Sequence, residues 1–275
     1  VVFERSMFGS LVSKLKKKSN CKIGVFIHNI EKQYFKNKLL HRGAAYLLPY
    51  LCVKHSESTM LKNTDYIMTL TKRDSRLLKE VYGVSGDIVL PMSFQDSYDD
   101  TRDIQKNDGR NLLFIGTMFP PNYDGVKWFV EYVMPELKEY TLQIVGKNFE
   151  QKRKELERDN VQVIGTVDDL SEYYYSDSAM VMPIFYGDGM KIKTAESIMY
   201  GRIIFAADEA LEGYEADGVD GIYRCNTKEE FIESIRNYFD NKKEVCFSKD
   251  VRALFIRQYS FEKQVEYCKK KWNLQ

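Results

Sequence analysis

The sequence has few of the residues that build metal centres and disulfide frameworks. Its 275 residues include three histidines and five cysteines, and no two cysteines form a CxxC pair. Because the cysteines are odd in number and widely scattered, we expect free thiols in a reducing compartment. The histidines lack the spacing of a zinc site, which argues against a structural zinc ion.

A strong excess of charge and a long hydrophobic run are also absent. The 41 Lys and Arg residues nearly balance the 40 Asp and Glu residues, which leaves a net charge of +1. This balance argues against a nucleic-acid partner. The longest apolar stretch, residues 44–53, is short and interrupted by Pro49, and no secretory signal is visible. We therefore expect a cytoplasmic protein.

Two common phosphate-binding motifs are missing as well. The sequence contains neither the GxGxxG fingerprint of dinucleotide-binding proteins nor the GxxxxGK[ST] loop of P-loop enzymes. Oxidoreductases that use a dinucleotide and P-loop nucleotidases are therefore disfavoured.

Short apolar runs that alternate with amphipathic helical stretches dominate the chain. The predicted strands are Val1–Glu4, Lys22–Ile27, Tyr66–Thr69, Ile88–Leu90, Asn111–Ile115, Thr141–Val145, Val161–Ile164, Ala179–Met182 and Arg202–Ala206. This alternation predicts an α/β protein with parallel sheets covered by helices.

The polar, turn-rich stretch 92–110 predicts a linker between two α/β units. Apolar strands resume after it. We place a first domain at residues 1–100, a second at 101–258, and a final helix at 259–275, capped by Ser260. A further capping box, formed by Thr227 and Glu230, predicts a helix that runs to about Phe239.

The stretch "YGDGMKIKTAESIMYGRIIFA", residues 186–206, combines flexible backbone with positive charge. Gly187 and Gly189 let the backbone approach a ligand closely. The amides that follow lie near a helix N-terminus, which attracts anions. Lys191 and Lys193 add full positive charges, so the stretch predicts a phosphate site.

Two carboxylates flank these phosphate-binding groups. Glu196, one helical turn beyond the lysines, is a suitable acceptor for the vicinal hydroxyls of a ribose, and Asp188 would lie at the distal end of the same ligand. This order matches a sugar, a diphosphate and a nucleoside. The alternative remains open that Asp188 only caps the helix and that Glu196 is solvated.

Glycines that follow three other predicted strands strengthen the case for a phosphate-bearing ligand. They occur in the pairs Gly116–Thr117, Gly146–Lys147 and Gly165–Thr166. Each pair alone is ordinary turn chemistry. Together they fit the rule that open α/β sheets bind ligands beyond the carboxyl ends of their strands.

Much of the chain resembles a known family. The stretches "FIGTMFPPNYDGVKWFVEYVMPEL", "VQVIGTVDDLSEYYYSDSAMVMPIFYGDGMKIKTAESIMYGRIIFAADEALEGYE" and "FIRQYSFEKQ" resemble the donor-binding half of retaining GT-B glycosyltransferases of family 4. Upstream, "IGVFIHNIEKQYFKN" and "LKNTDYIMTLTKRDSRLLKEVYG" are similar to the later part of that family's acceptor-side domain.

The resemblance implies two Rossmann-like domains and an activity. The first domain would bind the acceptor and be incomplete at its N-terminus, the second would bind a nucleotide sugar, and the final helix would return toward the first. The chain would move a hexose, with retention, from a UDP- or GDP-linked donor to a glycan or lipid-linked glycan of polysaccharide biosynthesis. In such enzymes the leaving diphosphate helps to deprotonate the acceptor, so no protein nucleophile is required. Such enzymes typically need no metal either, and the resemblance therefore implies that this chain uses neither a metal nor another cofactor.

Residue roles follow from the same resemblance. Asp188 would hold a hydroxyl of the donor sugar, and His28 matches a histidine near that sugar, although it is also readable as an ordinary strand-end histidine. Glu196 would bind the ribose. The remaining donor-binding positions are Gly116, Thr117, Gly165, Thr166, Gly189, Met190, Lys191, Ile192 and Lys193.

Three features depart from the family pattern. Asp188 stands where the family usually has Glu, and "TMFPPNYD" replaces an Arg and a Lys after the first strand of the donor domain, so that phosphate charge rests more on Lys191 and Lys193. The family's opening strands and Gly-rich acceptor loop have no counterpart.

Two rival functions remain on the same scaffold. A non-catalytic GT-B subunit or chaperone of a partner glycosyltransferase would not need both Asp188 and Glu196. A nucleotide-sugar epimerase would need an acid–base set in the first domain, which the sequence does not offer.

The segment "SMFGSLVSKLKKKSNCK" predicts a basic amphipathic helix. Such a helix either lies on an anionic membrane surface, which would suit a lipid-linked acceptor, or packs on its own domain with a solvated end. Peripheral contact with the inner face of a membrane is therefore one prediction, and ordinary packing is the more common outcome.

Overall fold

The computed structural model describes residues 1–104, 106–107, 109–187, 189–241 and 245–272. Two compact units divide the chain. The first comprises Val1–Met92 with Asp188–Met190, and the second comprises Ser93–Gly187 with Lys191–Gln275. The division after Met92 precedes the predicted domain end at residue 100. Acceptor and donor roles for the two units, and a returning final helix, stay predictions.

The first unit is built on a parallel four-stranded sheet with the order β1-β2-β3-β4 in the described part of the chain. Its strands are β1 (Val2–Glu4), β2 (Gly24–Ile27), β3 (Tyr66–Thr69) and β4 (Ile88–Val89). Its α-helices are α1 (Gly9–Lys18), α2 (Glu31–Arg42), α3 (Leu47–Asn63) and α4 (Lys72–Tyr82), with a 3-10 turn at Ala44–Tyr46.

Helix α1 packs closely on α3 through one face. A Cβ atom on Gly9 would lie 2.1 Å from the carbonyl oxygen of Ser56, so only glycine permits this approach. Val12 is fully buried in the core of the unit, whereas Phe8 and Leu11 are 46% and 54% exposed. The helix thus packs on its own domain and also keeps an apolar exposed face, and membrane contact stays a prediction.

A buried carboxylate closes the N-terminus of α2. Glu57, on α3, is fully buried and accepts hydrogen bonds from the backbone amides of Glu31 (3.1 Å) and Lys32 (3.0 Å). It also accepts from the hydroxyl groups of Tyr82 (2.6 Å) and Ser6. These bonds fix the start of α2, directly after the loop that follows β2.

The second unit contains a parallel six-stranded sheet in the described residues. Its strands are β5 (Arg110–Ile115), β6 (Tyr140–Val145), β7 (Val161–Gly165), β8 (Ala179–Met182), β9 (Ile204–Ala206) and β10 (Ile222–Arg224). Its α-helices are α5 (Pro120–Trp128), α6 (Arg153–Leu156), α7 (Ser171–Tyr174), α8 (Ile192–Met199), α9 (Lys228–Asn241), α10 (Lys249–Leu254) and α11 (Phe261–Trp272).

Short irregular turns complete this unit. The five-residue segments Phe129–Val133 and Phe255–Tyr259 continue α5 and α10 as π-helix, and 3-10 turns lie at Met134–Glu136, Phe149–Lys152 and Asp208–Leu211. The strand order is β10-β9-β8-β5-β6-β7. Chain order reverses between β5 and β8, and ligands of open parallel sheets bind outside the carboxyl ends of the strands at such a switch point.

Strand and cap predictions agree well with the structure. Strands β3 and β8 match their predicted bounds, and the others shift by one or two residues at an end. The Thr227 hydroxyl accepts from the Glu230 amide at 3.2 Å, and the Glu230 carboxylate accepts from the Thr227 amide at 3.1 Å. Ser260 caps α11 through the Lys263 amide at 3.3 Å. Strand β10 was not predicted, because its three residues follow a glycine-rich turn.

The polar stretch after Met92 packs on the second unit. Phe94 bridges to Ser260 at the start of α11. Tyr98 stacks between Tyr175 and Phe247, with ring centroids 5.8 and 6.0 Å away. These aromatic contacts attach the first part of the predicted linker 92–110 to the second unit, which begins at Ser93.

Helices long and apolar enough to cross a membrane are not found among the described residues.

Candidate nucleotide-sugar site

Glycines line the carboxyl edge of the second sheet. Gly116, Gly146 and Gly165 end or follow β5, β6 and β7, and the amide of Gly146 donates to the carbonyl of Gly165 at 2.7 Å. Gly146 has a φ of +137°, and a Cβ there would lie 2.0 Å from the carbonyl oxygen of Gly116. There is thus no room for side chains where these strand ends meet, and the surface at the carboxyl edge of the sheet consists of backbone atoms, which we call the floor of the site.

Lys193 reaches this floor from the first turn of α8. A Cβ on Gly116 would lie 3.0 Å from the Lys193 ammonium nitrogen. That nitrogen donates to the Asn122 side-chain carbonyl and lies 4.7 Å from the centre of the Phe114 ring. Burial, and secondarily the charge of Lys191, lower the pKa of Lys193 to about 7.

Lys191 precedes the helix and has a partner of opposite charge. Its ammonium group lies 2.6 Å from the Glu209 carboxylate, and both side chains are mostly buried. The Tyr214 hydroxyl donates to the Lys191 carbonyl at 2.8 Å. This pair holds the start of α8 in place, whereas Lys193 has no carboxylate partner among the described residues.

Glu196 lies three residues beyond Lys193 and therefore on the same side of α8. Its carboxylate accepts a hydrogen bond from the buried Tyr174 hydroxyl at 2.9 Å. The Tyr174 ring stacks on Tyr200 at 4.7 Å, which fixes the direction of this bond. Burial raises the pKa of Glu196, and the bond from Tyr174 partly offsets that rise.

Other predicted donor-binding residues lie at the same edge of the sheet. Thr117 is exposed, and its carbonyl accepts from Asn122 at 2.7 Å. Thr166 follows Gly165, and its amide and hydroxyl both donate to Glu150 at 3.2 Å. Ile192, the first residue of α8, is 56% exposed.

The second unit does not include every predicted site residue. Gly189, with a φ of +66°, and the buried Met190 group with the first unit. His28 follows β2 in the first unit, and its buried Nε2 atom has no hydrogen-bond partner among the described residues. Asp188 lies outside the described residues.

Three residues that sequence reasoning did not select support the cluster. Asn122 contacts Lys193, Glu209 pairs with Lys191, and Tyr174 orients Glu196. They lie 71, 18 and 22 residues from their partners along the chain. Contacts between residues this far apart leave no local pattern in the sequence, so they become visible only in the folded structure.

Clusters of three or more His, Cys, Asp or Glu side chains able to hold a metal ion are not found in the described part of the chain. The positive groups at this edge are the Lys193 ammonium and the uncapped amides at the start of α8, whose N-cap residue makes no side-chain capping bond.

Comparison with known proteins agrees with this architecture. Residues 109–241 match the family model described as "Glycosyl transferases group 1". No curated protein matched the sequence.

Several solved structures share the fold. WaaG, a glycosyltransferase involved in lipopolysaccharide biosynthesis, is 16% identical with a TM-score of 0.65, over 94% of this chain and 80% of that one. The Anabaena protein HepE, solved with UDP and glucose, is 10% identical with a TM-score of 0.64, over 96% and 81%. A glycosyltransferase from Rickettsia africae is 14% identical with a TM-score of 0.68, over 98% and 76%.

Identities this low establish the fold alone. The chain has the two-sheet α/β fold of GT-B glycosyltransferases, and within it residues 109–241 match the group 1 glycosyl transferase model.

Proposed function

We propose that the chain transfers a hexose-type sugar, with retention, from a nucleotide-diphosphate sugar to a glycan or lipid-linked glycan acceptor. The observation that carries the proposal is Lys193, a partly buried cation without a carboxylate partner among the described residues, beside Gly116 at the switch point of the sheet. Glu196 follows three residues later on the same side of α8, which suits a ribose attached to the diphosphate. The family match over residues 109–241 supports the same activity.

Each group at the site has a distinct task in this proposal. Lys193 and the amides of the first turn of α8 bind the diphosphate, because a cation and a helix N-terminus both attract anions. Lys191 shares its charge with Glu209 and chiefly fixes the turn. Glu196 accepts hydrogen bonds from the ribose, and Asp188 holds a hydroxyl of the donor sugar.

Transfer then follows from the position of the leaving group. As the glycosidic bond breaks, negative charge grows on the diphosphate, and the preorganised positive groups stabilise it more in the transition state than in the ground state. The departing diphosphate takes the proton of the acceptor hydroxyl on the same face of the sugar. The acceptor oxygen then bonds to the anomeric carbon with retained configuration, without a protein nucleophile or a metal.

The decisive experiment offers purified protein a panel of UDP- and GDP-hexoses, with and without EDTA. We expect one donor to be hydrolysed slowly to free hexose and nucleoside diphosphate, and to be transferred when an acceptor glycan is added. Proton NMR of the product gives its anomeric configuration. An inverted product would contradict retention, and binding without turnover on any acceptor would favour a non-catalytic subunit.

A further inference from the structure

A cavity of about 360 Å³, separate from the phosphate-binding residues, opens at the carboxyl edge of the second sheet. It lies between α5 and the segment that follows β8, and its walls include Asp124, Trp128, Phe185, Tyr186 and Asn226. Its volume is at the lower end of the range of about 300–1,000 Å³ for small-molecule sites. None of these residues belongs to the phosphate-binding cluster.

Aromatic rings form much of this cavity. Phe185 meets Trp128 edge to face, with ring centroids 4.8 Å apart and an interplanar angle of 80°. Phe185 and the adjacent Tyr186 remain 40% and 47% exposed. A ligand with an apolar face that covers these neighbouring exposed rings removes apolar surface from water, and this burial favours binding.

The polar groups of the cavity suit a neutral ligand that carries hydroxyls. The Asp124 carboxylate accepts from the Tyr186 hydroxyl at 2.5 Å and has no cationic partner among the described residues. The Asn226 side-chain oxygen accepts from the Asp208 amide at 2.9 Å, which leaves its NH₂ group as a donor. An uncompensated carboxylate repels phosphate, whereas an acceptor beside a donor matches sugar hydroxyls.

The two walls are held at a fixed separation. A Cβ on Gly125 would lie 1.8 Å from the carbonyl oxygen of Pro183, so α5 rests directly on the backbone that follows β8. The hydrogen bond from Tyr186 to Asp124 also joins the segment after β8 to α5. A preformed cavity loses little conformational freedom on binding, which favours affinity for a small ligand.

We propose that this cavity binds one neutral sugar ring of the glycan acceptor, with the apolar face of the ring on Phe185 and Tyr186 and its hydroxyls on Asp124 and Asn226. The assignment deepens the proposed function and rests on it. It gives the second unit a share in acceptor recognition, separate from the diphosphate site. The same rings could stack a nucleobase, but Asp124 makes the cavity unfavourable for a nucleotide and its phosphates.

Saturation-transfer NMR on the full chain tests this assignment. With UDP present, the protein is offered methyl α- and β-glycosides of glucose, galactose, mannose and N-acetylglucosamine, together with maltotriose. We expect transfer to the ring protons of at least one sugar, and its Kd to rise about tenfold or more in Phe185→Ala and in Asp124→Asn, which preserves shape. Tyr267→Ala, which removes an exposed ring of α11 that does not line the cavity, should bind as the unchanged protein does.

Calorimetry with UDP on the same variants separates this assignment from the proposed function. We expect unchanged UDP affinity in Phe185→Ala. If UDP binds and no sugar of the panel does, the cavity assignment is overturned and the proposed function stands. If Phe185→Ala loses UDP affinity, the rings stack the nucleobase and the sugar assignment is overturned. Sugar binding that depends on Phe185 without any nucleotide binding would support the cavity and overturn the proposed function.

Discussion

Lys193 keeps an ammonium group where its surroundings disfavour the charge. Burial and the nearby Lys191 lower its pKa to about 7, and its contacts are a neutral amide and an aromatic ring. Such a group is a poor contributor to stability but a good receptor for a doubly charged ligand. A bound diphosphate would give Lys193 the negatively charged partner that it does not have among the described residues.

Nucleotide binding should therefore take up a proton near pH 8. The unliganded protein holds Lys193 mostly neutral above its pKa of about 7, and a diphosphate favours the charged form, so affinity should fall as pH rises past 7. Calorimetry at pH 8 in buffers of different ionisation enthalpy measures this uptake. At pH 8 the nucleotide phosphate is already fully ionised, because its last pKa is about 6.

Lys193→Arg supplies the control for proton uptake, since arginine stays charged at pH 8. Equal proton uptake by this variant would contradict the role given to Lys193. Without ligand, stability should rise between pH 7 and 10.5, because over this range the unfolded chain binds a proton that the folded protein has lost.

Glu196→Gln should weaken binding of a nucleoside diphosphate by about 1.5–3 kcal/mol, the usual loss for a hydrogen bond to a charged group. The unliganded protein should not lose stability at pH 7, because burial raises the pKa of Glu196 and so disfavours its charged form. Calorimetry and thermal melting measure the two effects. Glu233→Gln, at an exposed position of α9, is the control.

Asp188→Asn should separate the two carboxylates by function. A nucleoside diphosphate has no sugar for Asp188 to contact, so its affinity should be unchanged while kcat falls. A variant that loses nucleotide affinity as strongly as Glu196→Gln would contradict this division of roles.

At the scale of elements, helix α2 is capped by a carboxylate from helix α3 and not by its own N-cap residue. The N-cap residue of α2, Ile30, makes no side-chain capping bond, and Glu57 on α3 accepts from the exposed amides instead. The negative charge at a helix N-terminus is favourable, and it occupies the place where a free anion would bind. Helix α2 therefore depends on α3 for its start.

Glu57→Ala should destabilise the protein by about 2–4 kcal/mol, because four donors lose their acceptor together. Glu57→Gln should cost less, since an amide oxygen preserves part of the network. Urea unfolding followed by circular dichroism measures both changes. Glu80→Ala, an exposed acid on α4, is the matched control, and an equal midpoint for Glu57→Ala and Glu80→Ala would refute the capping role.

At the scale of the whole molecule, the positive groups proposed to hold the diphosphate all come from the protein. The Lys193 ammonium and the first amides of α8 meet the glycine-lined edge of a six-stranded sheet. We predict that these groups bind the diphosphate without the help of a divalent cation.

UDP or GDP should consequently raise the melting temperature to the same extent with and without EDTA. A ligand at about 100 times its Kd stabilises the folded state by about 2.7 kcal/mol. Thermal melting over a range of nucleotide concentrations measures the effect, and adenosine serves as a control because it lacks phosphate. A shift that disappears in EDTA would show that a metal bridges the diphosphate.

Local patterns in the sequence predicted most strands, both helix caps and the start of α8. Strand β8 and the caps at Thr227 and Ser260 depend on residues within a few positions of one another, so their signals survive without a fold. Strand β10 is short, and Glu57 is one ordinary helical glutamate by sequence. Nothing local distinguishes them.

The sequence by itself determined which residue types could bind a nucleotide sugar: glycines after strands, two lysines at the start of a helix, and a carboxylate one turn later. The tertiary structure decided how those residues differ. It paired Lys191 with Glu209, set Lys193 against Asn122 without a carboxylate partner among the described residues, and oriented Glu196 through Tyr174. The reason is physical: charge pairing and burial depend on strand order, which brings distant segments to one edge of the sheet.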